Sequence, residues 1–155
     1  MKKFISILLV ALMAIGAEAQ VTGNVRLGGG TIGSFFDGRF GIAALALEAN
    51  IPFGANRRGV FSPSLLLGSH FKDSGSNTFV VPLHLGYKFV IGEGAMFIPK
   101  IGPAAGLCYD TFVLGPSVEL AFEIKHFVIA GNGFYGFGLG GENGNGFLLT
   151  LGYKF

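Results

Sequence analysis

The chain has 155 residues, of which 50% are hydrophobic and only 13% charged, and it contains 27 Gly, 17 Phe and no Trp. A soluble globular domain usually carries about a quarter charged residues, so this composition argues against an ordinary soluble domain. The formal net charge of +2 gives no reason to expect a nucleic-acid partner, and the single cysteine, Cys108, excludes an internal disulfide.

The first segment, residues 1–19, is predicted to be a secretory signal peptide. Lys2 and Lys3 precede a short apolar run, which ends in the small-x-small sequence Ala17-Glu18-Ala19. The run is shorter than the ~20 apolar residues that a spanning helix needs, which disfavours a membrane anchor. Cleavage after Ala19 would leave residues 20–155 as one domain, in which no apolar run is long enough for a membrane helix.

Residues 20–155 contain eight segments in which apolar residues alternate with polar or small ones, separated by clusters of turn-forming residues. A period of two indicates a strand with two different faces. The seventh segment is the least regular, because Phe134 and Tyr135 are both candidates for its apolar face. The predicted strands are 21–31, 39–51, 60–71, 79–89, 96–109, 112–124, 127–137 and 146–155.

The two faces of these strands decide the fold class. The polar face is mostly Gly, Ala and Ser with few charges, which suits the crowded interior of a narrow barrel better than a surface in water. The large aromatic and aliphatic residues would then face lipid, where a closed barrel satisfies every backbone hydrogen bond. The sequence therefore predicts an all-β, eight-stranded, antiparallel, up-and-down transmembrane β-barrel.

Charged residues on the inner face are predicted to form a salt-bridge network in the lumen. Arg26 and Glu48 lie on neighbouring strands at similar heights, as do Lys100 and Glu119, and three further charges lie near the periplasmic end. A charge inside a narrow barrel must be compensated, because unpaired burial is costly. The predicted lumen charge network is Arg26, Glu48, Lys88, Lys100, Glu119, Glu123 and Lys154.

A repeated pentapeptide predicts an aromatic girdle. Residues 85–89 read Leu-Gly-Tyr-Lys-Phe, and residues 151–155 repeat them identically. In an up-and-down barrel with periplasmic termini both copies end strands that run toward the periplasm, so both would place their rings at one membrane interface. The predicted girdle residues are Tyr87, Phe89, Tyr153 and Phe155. The final strand, ending on Phe155, resembles the C-terminal signal of bacterial outer-membrane barrels, which implies transient contact with the barrel-assembly machinery.

Prolines within the predicted strands leave the strand register open. Proline cannot donate to the hydrogen-bond ladder, so bulges or shorter strands are expected around them. These residues are Pro63, Pro82, Pro99, Pro103 and Pro116.

Catalytic and metal sites find little support in the sequence. Ser117 and Glu119 share a strand face, and His84 is a candidate to line the same lumen. A catalytic nucleophile and its base must lie within hydrogen-bonding distance, which the sequence does not require of these residues. The favoured interpretation is that they are separate polar residues lining the lumen. The three histidines lack metal-ligand spacing, and no helix follows the glycine clusters to make a phosphate loop. We therefore expect no enzymatic activity and no cofactor.

Two alternatives stay open beside a structural role. The outer half of the predicted lumen is apolar and could hold an acyl chain, as in a lipid-binding or lipid-modifying barrel; its residues are Leu66, Val80, Pro82, Ala104, Val113 and Leu148. The other alternative is a secreted soluble barrel that carries a ligand, in which the two faces would be reversed.

Three stretches resemble a known family: Val81-Pro82-Leu83 followed by Tyr87-Lys88-Phe89, then residues 102–107, Gly-Pro-Ala-Ala-Gly-Leu, and finally residues 152–155. In this order they resemble the outer membrane protein β-barrel family of Bacteroides-type bacteria, often labelled porin-like. The resemblance implies a place in the outer membrane of a Gram-negative cell envelope, with lipid as the main partner. Because side chains fill an eight-stranded barrel, we expect a monomer with a blocked lumen and a structural or envelope-maintaining role.

Overall fold

A computed structural model describes residues 20–33, 42–70, 77–108, 111–139 and 143–155. The predicted signal peptide and residues 34–41, 71–76, 109–110 and 140–142 lie outside the described residues. Within the described residues, no helix is long and apolar enough to cross a membrane. The strands are β1 (Thr22–Gly33), β2 (Ile42–Phe53), β3 (Gly59–His70), β4 (Asn77–Tyr87), β5 (Phe89–Gly92), β6 (Ala95–Cys108), β7 (Thr111–Ile124), β8 (Phe127–Gly138) and β9 (Gly144–Lys154).

The strands close into a barrel in which every neighbour is antiparallel. β1 pairs with β9, and β4 pairs with β6, so the sheet has no open side. β4 and β5 count as one barrel strand, because Leu85 faces Ile101 and Phe89 faces Phe97 in the same register along β6. The predicted fold class, an eight-stranded antiparallel up-and-down barrel, is confirmed.

The polarity of the barrel is the reverse of that of a soluble protein. Large hydrophobic side chains along the strands are exposed, for example Leu27 at 66% and Leu151 at 57%, whereas Arg26 and Glu119 are fully buried. Inward and outward residues alternate as the sequence predicts. On β8 the structure also decides between the two aromatic residues, since Phe134 is buried and Tyr135 exposed.

Two apolar clusters fill the lumen on either side of the buried charges. We define the lower rim as the end of the barrel where β1 begins and β9 ends, and the opposite end as the top. Along β6 the inward order from top to bottom is Cys108, Ala104, Lys100, Ile98, so the charge lies between the clusters. The upper cluster contains Ala44, Ala46, Leu66, Val80, Ala104, Cys108, Val113, Phe134 and Leu148. The lower cluster contains Val60, Ile98, Ala121, Val128 and Ala130.

The prolines interrupt the ladder without shifting its register, so of the bulges or shorter strands expected around them the structure shows interrupted strand pairing. Between β4 and β6, for example, the pairs beside Pro103 are missing, but the register before and after the gap is the same. The same holds beside Pro63, Pro82 and Pro116. Pro99 faces the break between β4 and β5 at Tyr87 and Lys88, and the register shift among the described strands falls between Val90 and Gly92.

Inward glycines let neighbouring strands approach more closely than a side chain would allow. A Cβ atom on Gly28 would lie 1.9 Å from the carbonyl oxygen of Leu149, and one on Gly102 would lie 1.9 Å from that of Leu83. The same close approach of a carbonyl oxygen occurs at Gly30, where a Cβ atom would lie 1.9 Å from the carbonyl oxygen of Phe147. Glycine at these positions provides the bend that a narrow barrel needs.

We predict that Gly28→Ala destabilises the barrel by roughly 1–3 kcal/mol, because the new methyl group forces the backbone of β9 to move. The matched control is Gly131→Ala, where a Cβ would lie 3.6 Å from the ring of Phe147, an ordinary contact. Urea unfolding, followed by the fraction that migrates as a folded band on unheated gels, measures both. Equal midpoints for the two variants would contradict the close approach at Gly28.

Candidate functional site: a charged ring across the lumen

Four strands bring four charged side chains to the middle of the lumen. Arg26 lies on β1, Glu48 on β2, Lys100 on β6 and Glu119 on β7. In the closed sheet, β3 and β4 separate β2 from β6, and β9 and β8 separate β1 from β7. The two strand pairs therefore lie opposite each other, and the four side chains meet across the barrel.

The four groups form a closed ring in which cations and carboxylates alternate. Arg26 Nη2 lies 3.3 Å from Glu48 Oε2 and 2.8 Å from Glu119 Oε2. Lys100 Nζ lies 2.6 Å from Glu48 Oε1 and 2.6 Å from Glu119 Oε1. We call these four residues the charged ring. Its formal charge is zero and its side chains are at most 1% exposed, so each buried charge has two opposite charges as partners.

Neutral polar side chains complete the environment of Glu48. Asn24 Nδ2 and Asn50 Nδ2 each donate a 2.9 Å hydrogen bond to Glu48 Oε1, and Ser62 Oγ donates a 2.6 Å bond to Asn50 Oδ1. Sequence reasoning did not single out these residues. The signal was available, because Asn24 and Asn50 lie two positions from Arg26 and Glu48 on the same inward faces.

His84 and Ser117 come together beside the charged ring. His84 Nε2 lies 2.9 Å from Ser117 Oγ, which donates to the carbonyl of Gly133 at 3.2 Å. His84 Nδ1 is buried, has no hydrogen-bond partner among the described residues, and does not bond to Glu119. In a serine-histidine-acid arrangement the acid orients the imidazole through that nitrogen, so this geometry is a polar contact between lining residues.

Glu48, His84 and Glu119 also lie close enough together to hold a metal ion, with candidate ligand atoms within 4.8 Å of one another. The ammonium group of Lys100 already lies 2.6 Å from one oxygen of each carboxylate. A metal ion bound by both carboxylates would have to compete with this lysine for the same oxygens. The donor set therefore favours an internal ion pair over a metal centre.

The remaining charges of the predicted network lie toward the lower rim. Lys154 Nζ lies 2.5 Å from Glu123 Oε2 and forms a separate ion pair below the lower apolar cluster. Lys88 lies at the break between β4 and β5, and its backbone N–H donates to the carbonyl of Arg58. Among the described residues no ion pair within 4 Å involves the Lys88 side chain, so the structure does not bring it into the charged ring.

The four predicted girdle residues are exposed near the lower rim, and Phe89 and Tyr153 contact further aromatic rings. Tyr87 and Phe89 pack edge to face with centroids 5.0 Å apart, and Phe89 continues to Phe97. Tyr153 stacks on His126 at 5.3 Å. Sequence reasoning missed Phe97 and His126, because the contacts that join them depend on which strands are neighbours.

Phe155 closes the seam between the last and first strands. Its N–H donates to the carbonyl of Gly23 at 2.9 Å, and its carbonyl accepts from the N–H of Gly23 at 3.0 Å. The phenyl ring covers Gly23, where a Cβ would lie 2.6 Å from it. Phe53 covers Gly59 in the same way, so an aromatic ring over a glycine occurs twice at this rim.

Comparison with known proteins supports the fold and adds no family. No protein-family model matches the sequence, and no curated protein matches it. The barrel is similar to a crystal structure of Ail, the attachment invasion locus protein of Yersinia pestis, with 16% identity, a TM-score of 0.54, and coverage of 86% of this chain and 98% of Ail. A second Ail structure, in complex with the heparin analogue sucrose octasulfate, gives 16% identity, a TM-score of 0.53, and coverage of 87% and 99%.

Ail is an eight-stranded outer-membrane barrel, so the shared fold is the one that small outer-membrane proteins use. At this identity the similarity carries the fold alone. The resemblance to a Bacteroides-type porin-like family is not shown by these comparisons.

We predict that Glu119→Gln destabilises the barrel by about 3–5 kcal/mol, because two buried cations then share one carboxylate. The double variant Lys100→Met with Glu119→Gln should lose less than the sum of its single variants, since it leaves Arg26 paired with Glu48. Urea midpoints from gel shifts measure all three, with the exposed Glu93→Gln as a control that should not move the midpoint. Additive losses would show that the four groups do not act as one unit.

Proposed function

We propose that this chain is a small integral outer-membrane β-barrel with a closed lumen and a structural, envelope-maintaining role. The observation that carries the proposal is the reversed polarity of the barrel. Exposed leucines, valines and aromatic rings surround it, whereas fourteen polar or charged residues of the described strands are buried inside. A wall of this kind would be an aggregation hazard in water and is stable in lipid.

The charged ring and the apolar clusters support the closed lumen. The ring joins opposite walls of the barrel through four contacts of 2.6 to 3.3 Å, and packed apolar side chains lie above and below it. A solute crossing the lumen would have to break ion pairs that are shielded from water. Such pairs resist separation, since each charge would be left buried without a partner.

Lipid is the permanent partner of the barrel. The barrel-assembly machinery is a transient partner, which recognises Phe155. The protein acts as a monomer, because eight strands close the sheet without a second copy. It binds no nucleic acid and no cofactor, and it is not an enzyme. On this proposal β1 begins in the periplasm, and the lower rim faces the periplasm.

A lipid-binding or lipid-modifying barrel is the second candidate, and the upper apolar cluster is the observation that favours it. Leu66, Val80, Val113 and Leu148 are at most 2% exposed and make a packed apolar region toward the end opposite the lower rim. An acyl chain held there would have to displace or separate these side chains. Identical lipid mass spectra from wild-type and deletion strains would remove the lipid-modifying form of this candidate.

The first prediction from the proposal is that the protein sediments with outer membranes and migrates faster on a gel when unheated than when boiled. A folded barrel resists detergent until its hydrogen-bonded wall is melted. Fractionation of cells with gels of heated and unheated samples measures both properties. Recovery in the soluble fraction without a heat shift would contradict the proposal and favour the soluble carrier.

The second prediction is that the refolded protein produces no steady conductance steps in planar lipid bilayers. The same sample run unheated on a gel shows that the inserted protein is folded, and bilayers without protein provide the baseline. Stable steps from a fully heat-shifted sample would contradict the closed lumen and leave the outer-membrane location untouched.

A further inference from the structure

Two turns at the lower rim combine an unusual backbone conformation with a positive charge. Among the described residues, the non-glycine residues with positive φ are Arg57 at 53° and Lys125 at 55°. Arg57 belongs to the turn between β2 and β3, and Lys125 to the two-residue turn between β7 and β8. We call residues 54–58 and 124–127 the two basic turns.

Glycine, asparagine or aspartate usually occupies such positions, because a larger side chain is strained in the left-handed region. The other described residues with positive φ, Gly54 and Gly94, lie in turns of the same rim and follow that rule. Arginine and lysine are therefore not explained by the geometry of their turns. The positive charge itself is the property that they supply.

The basic turn at Lys125 is held rigidly. The Lys125 N–H donates to the carbonyl of Gly94 at 2.7 Å, and the Lys154 N–H donates to the carbonyl of His126 at 2.7 Å. The ring of His126 stacks on Tyr153. In the other basic turn, the Arg57 N–H donates to the carbonyl of Gly54 at 3.0 Å, and the Arg58 N–H donates to Asn56 Oδ1 at 3.1 Å. These hydrogen bonds fix the backbone of both turns, from which the exposed cationic side chains extend.

The two basic turns lie on opposite sides of the barrel. Between the pair β2 and β3 and the pair β7 and β8 stand two strands on each side, β1 with β9 and β4 with β6. Arg57, Arg58 and Lys125 are all exposed. Against these three cations, the described residues of the same rim contain one exposed acidic side chain, that of Glu93. A small anion could not bridge both turns, so a surface that surrounds the barrel fits them better.

Each basic turn also adjoins an exposed aromatic ring on the wall. Phe53 ends β2 just before the first turn and is 48% exposed, and Phe127 begins β8 just after Lys125 and is 64% exposed. Aromatic rings mark the boundary between hydrocarbon and headgroups, and a cation just beyond that boundary lies at the level of lipid phosphates. The charge and the position of the turns match one partner, the headgroup layer.

We infer that the two basic turns bind the phosphate groups of anionic phospholipids in the membrane leaflet around the lower rim. This inference rests on the proposed outer-membrane location. Anionic phospholipids are the lipid class that we add to the proposed function. Arg57 and Lys125 are the residues that select these lipids, and Arg58 lies next to Arg57 in the same turn. Side chains of this length extend their charge to the headgroups while their stems stay along the wall.

The test compares the wild-type protein with the double variant Arg57→Asn and Lys125→Asn, which keeps the left-handed turns and removes both charges. Each is refolded into bilayers of phosphatidylcholine containing spin-labelled phosphatidylglycerol or spin-labelled phosphatidylcholine. Electron paramagnetic resonance gives the relative association constant of the two labelled lipids at the protein surface. The control variant Arg57→Lys and Lys125→Arg keeps both charges.

We expect the wild-type protein and the control to prefer phosphatidylglycerol several-fold, with a preference that weakens as salt is added. The Asn variant should lose this preference, and its thermal unfolding midpoint in a zwitterionic detergent should rise by a few degrees, because asparagine tolerates the left-handed region. A gain in stability together with a loss of lipid preference is not expected from a purely structural role.

Equal lipid preference in the wild-type protein and the Asn variant would overturn the inference, as would the absence of any preference. Co-sedimentation of the wild-type protein with isolated peptidoglycan, without a lipid preference, would also overturn it and assign the turns to the cell wall. Failure of the wild-type protein to insert into any bilayer would instead contradict the proposed function. A heat-shift gel of each reconstituted sample separates these cases.

Discussion

Closing the sheet into a ring is the constraint on which the interior of this protein depends. Closure places β1 and β2 opposite β6 and β7, and only then can Arg26 and Lys100 each contact both Glu48 and Glu119. The charges in turn make closure favourable, because an open sheet would leave them without half of their partners. The charged ring therefore depends on closure of the wall, and its contacts in turn stabilise the closed wall.

The wall tolerates several prolines because each gap in the ladder is bounded by pairs in the same register. Beside Pro63, for example, Glu48 still faces Ser64 above the gap and Ile51 faces Phe61 below it. A shift of one residue would have turned the apolar face of a strand toward the lumen and its charges toward lipid. Between β4 and β6 the pairs Pro82–Ala104 and Leu85–Ile101 keep one register on either side of the gap beside Pro103.

The sequence was enough to predict the fold class and, outside the ambiguous seventh segment, the inward and outward faces of the strands, because a period of two is local and survives errors in strand ends. It also placed Arg26 beside Glu48 and Lys100 beside Glu119 on neighbouring strands. The contacts from Arg26 to Glu119 and from Lys100 to Glu48 could not be predicted, because they depend on register added up around the whole barrel. The sequence left bulges or shorter strands open at the prolines, and the structure shows interrupted pairing with the same register on either side of each gap.

The neutrality of the charged ring has an electrical consequence. A membrane potential does work on a buried group in proportion to the net charge that moves, about 2.3 kcal/mol for one elementary charge across 100 mV. Two cations and two carboxylates joined by short contacts move together and carry no net charge. A potential across the membrane therefore does almost no work on the charged ring when the ring moves, whereas it would do work on a lumen whose charges had one sign. The four charges in the middle of the barrel therefore respond to a membrane potential as a neutral group would.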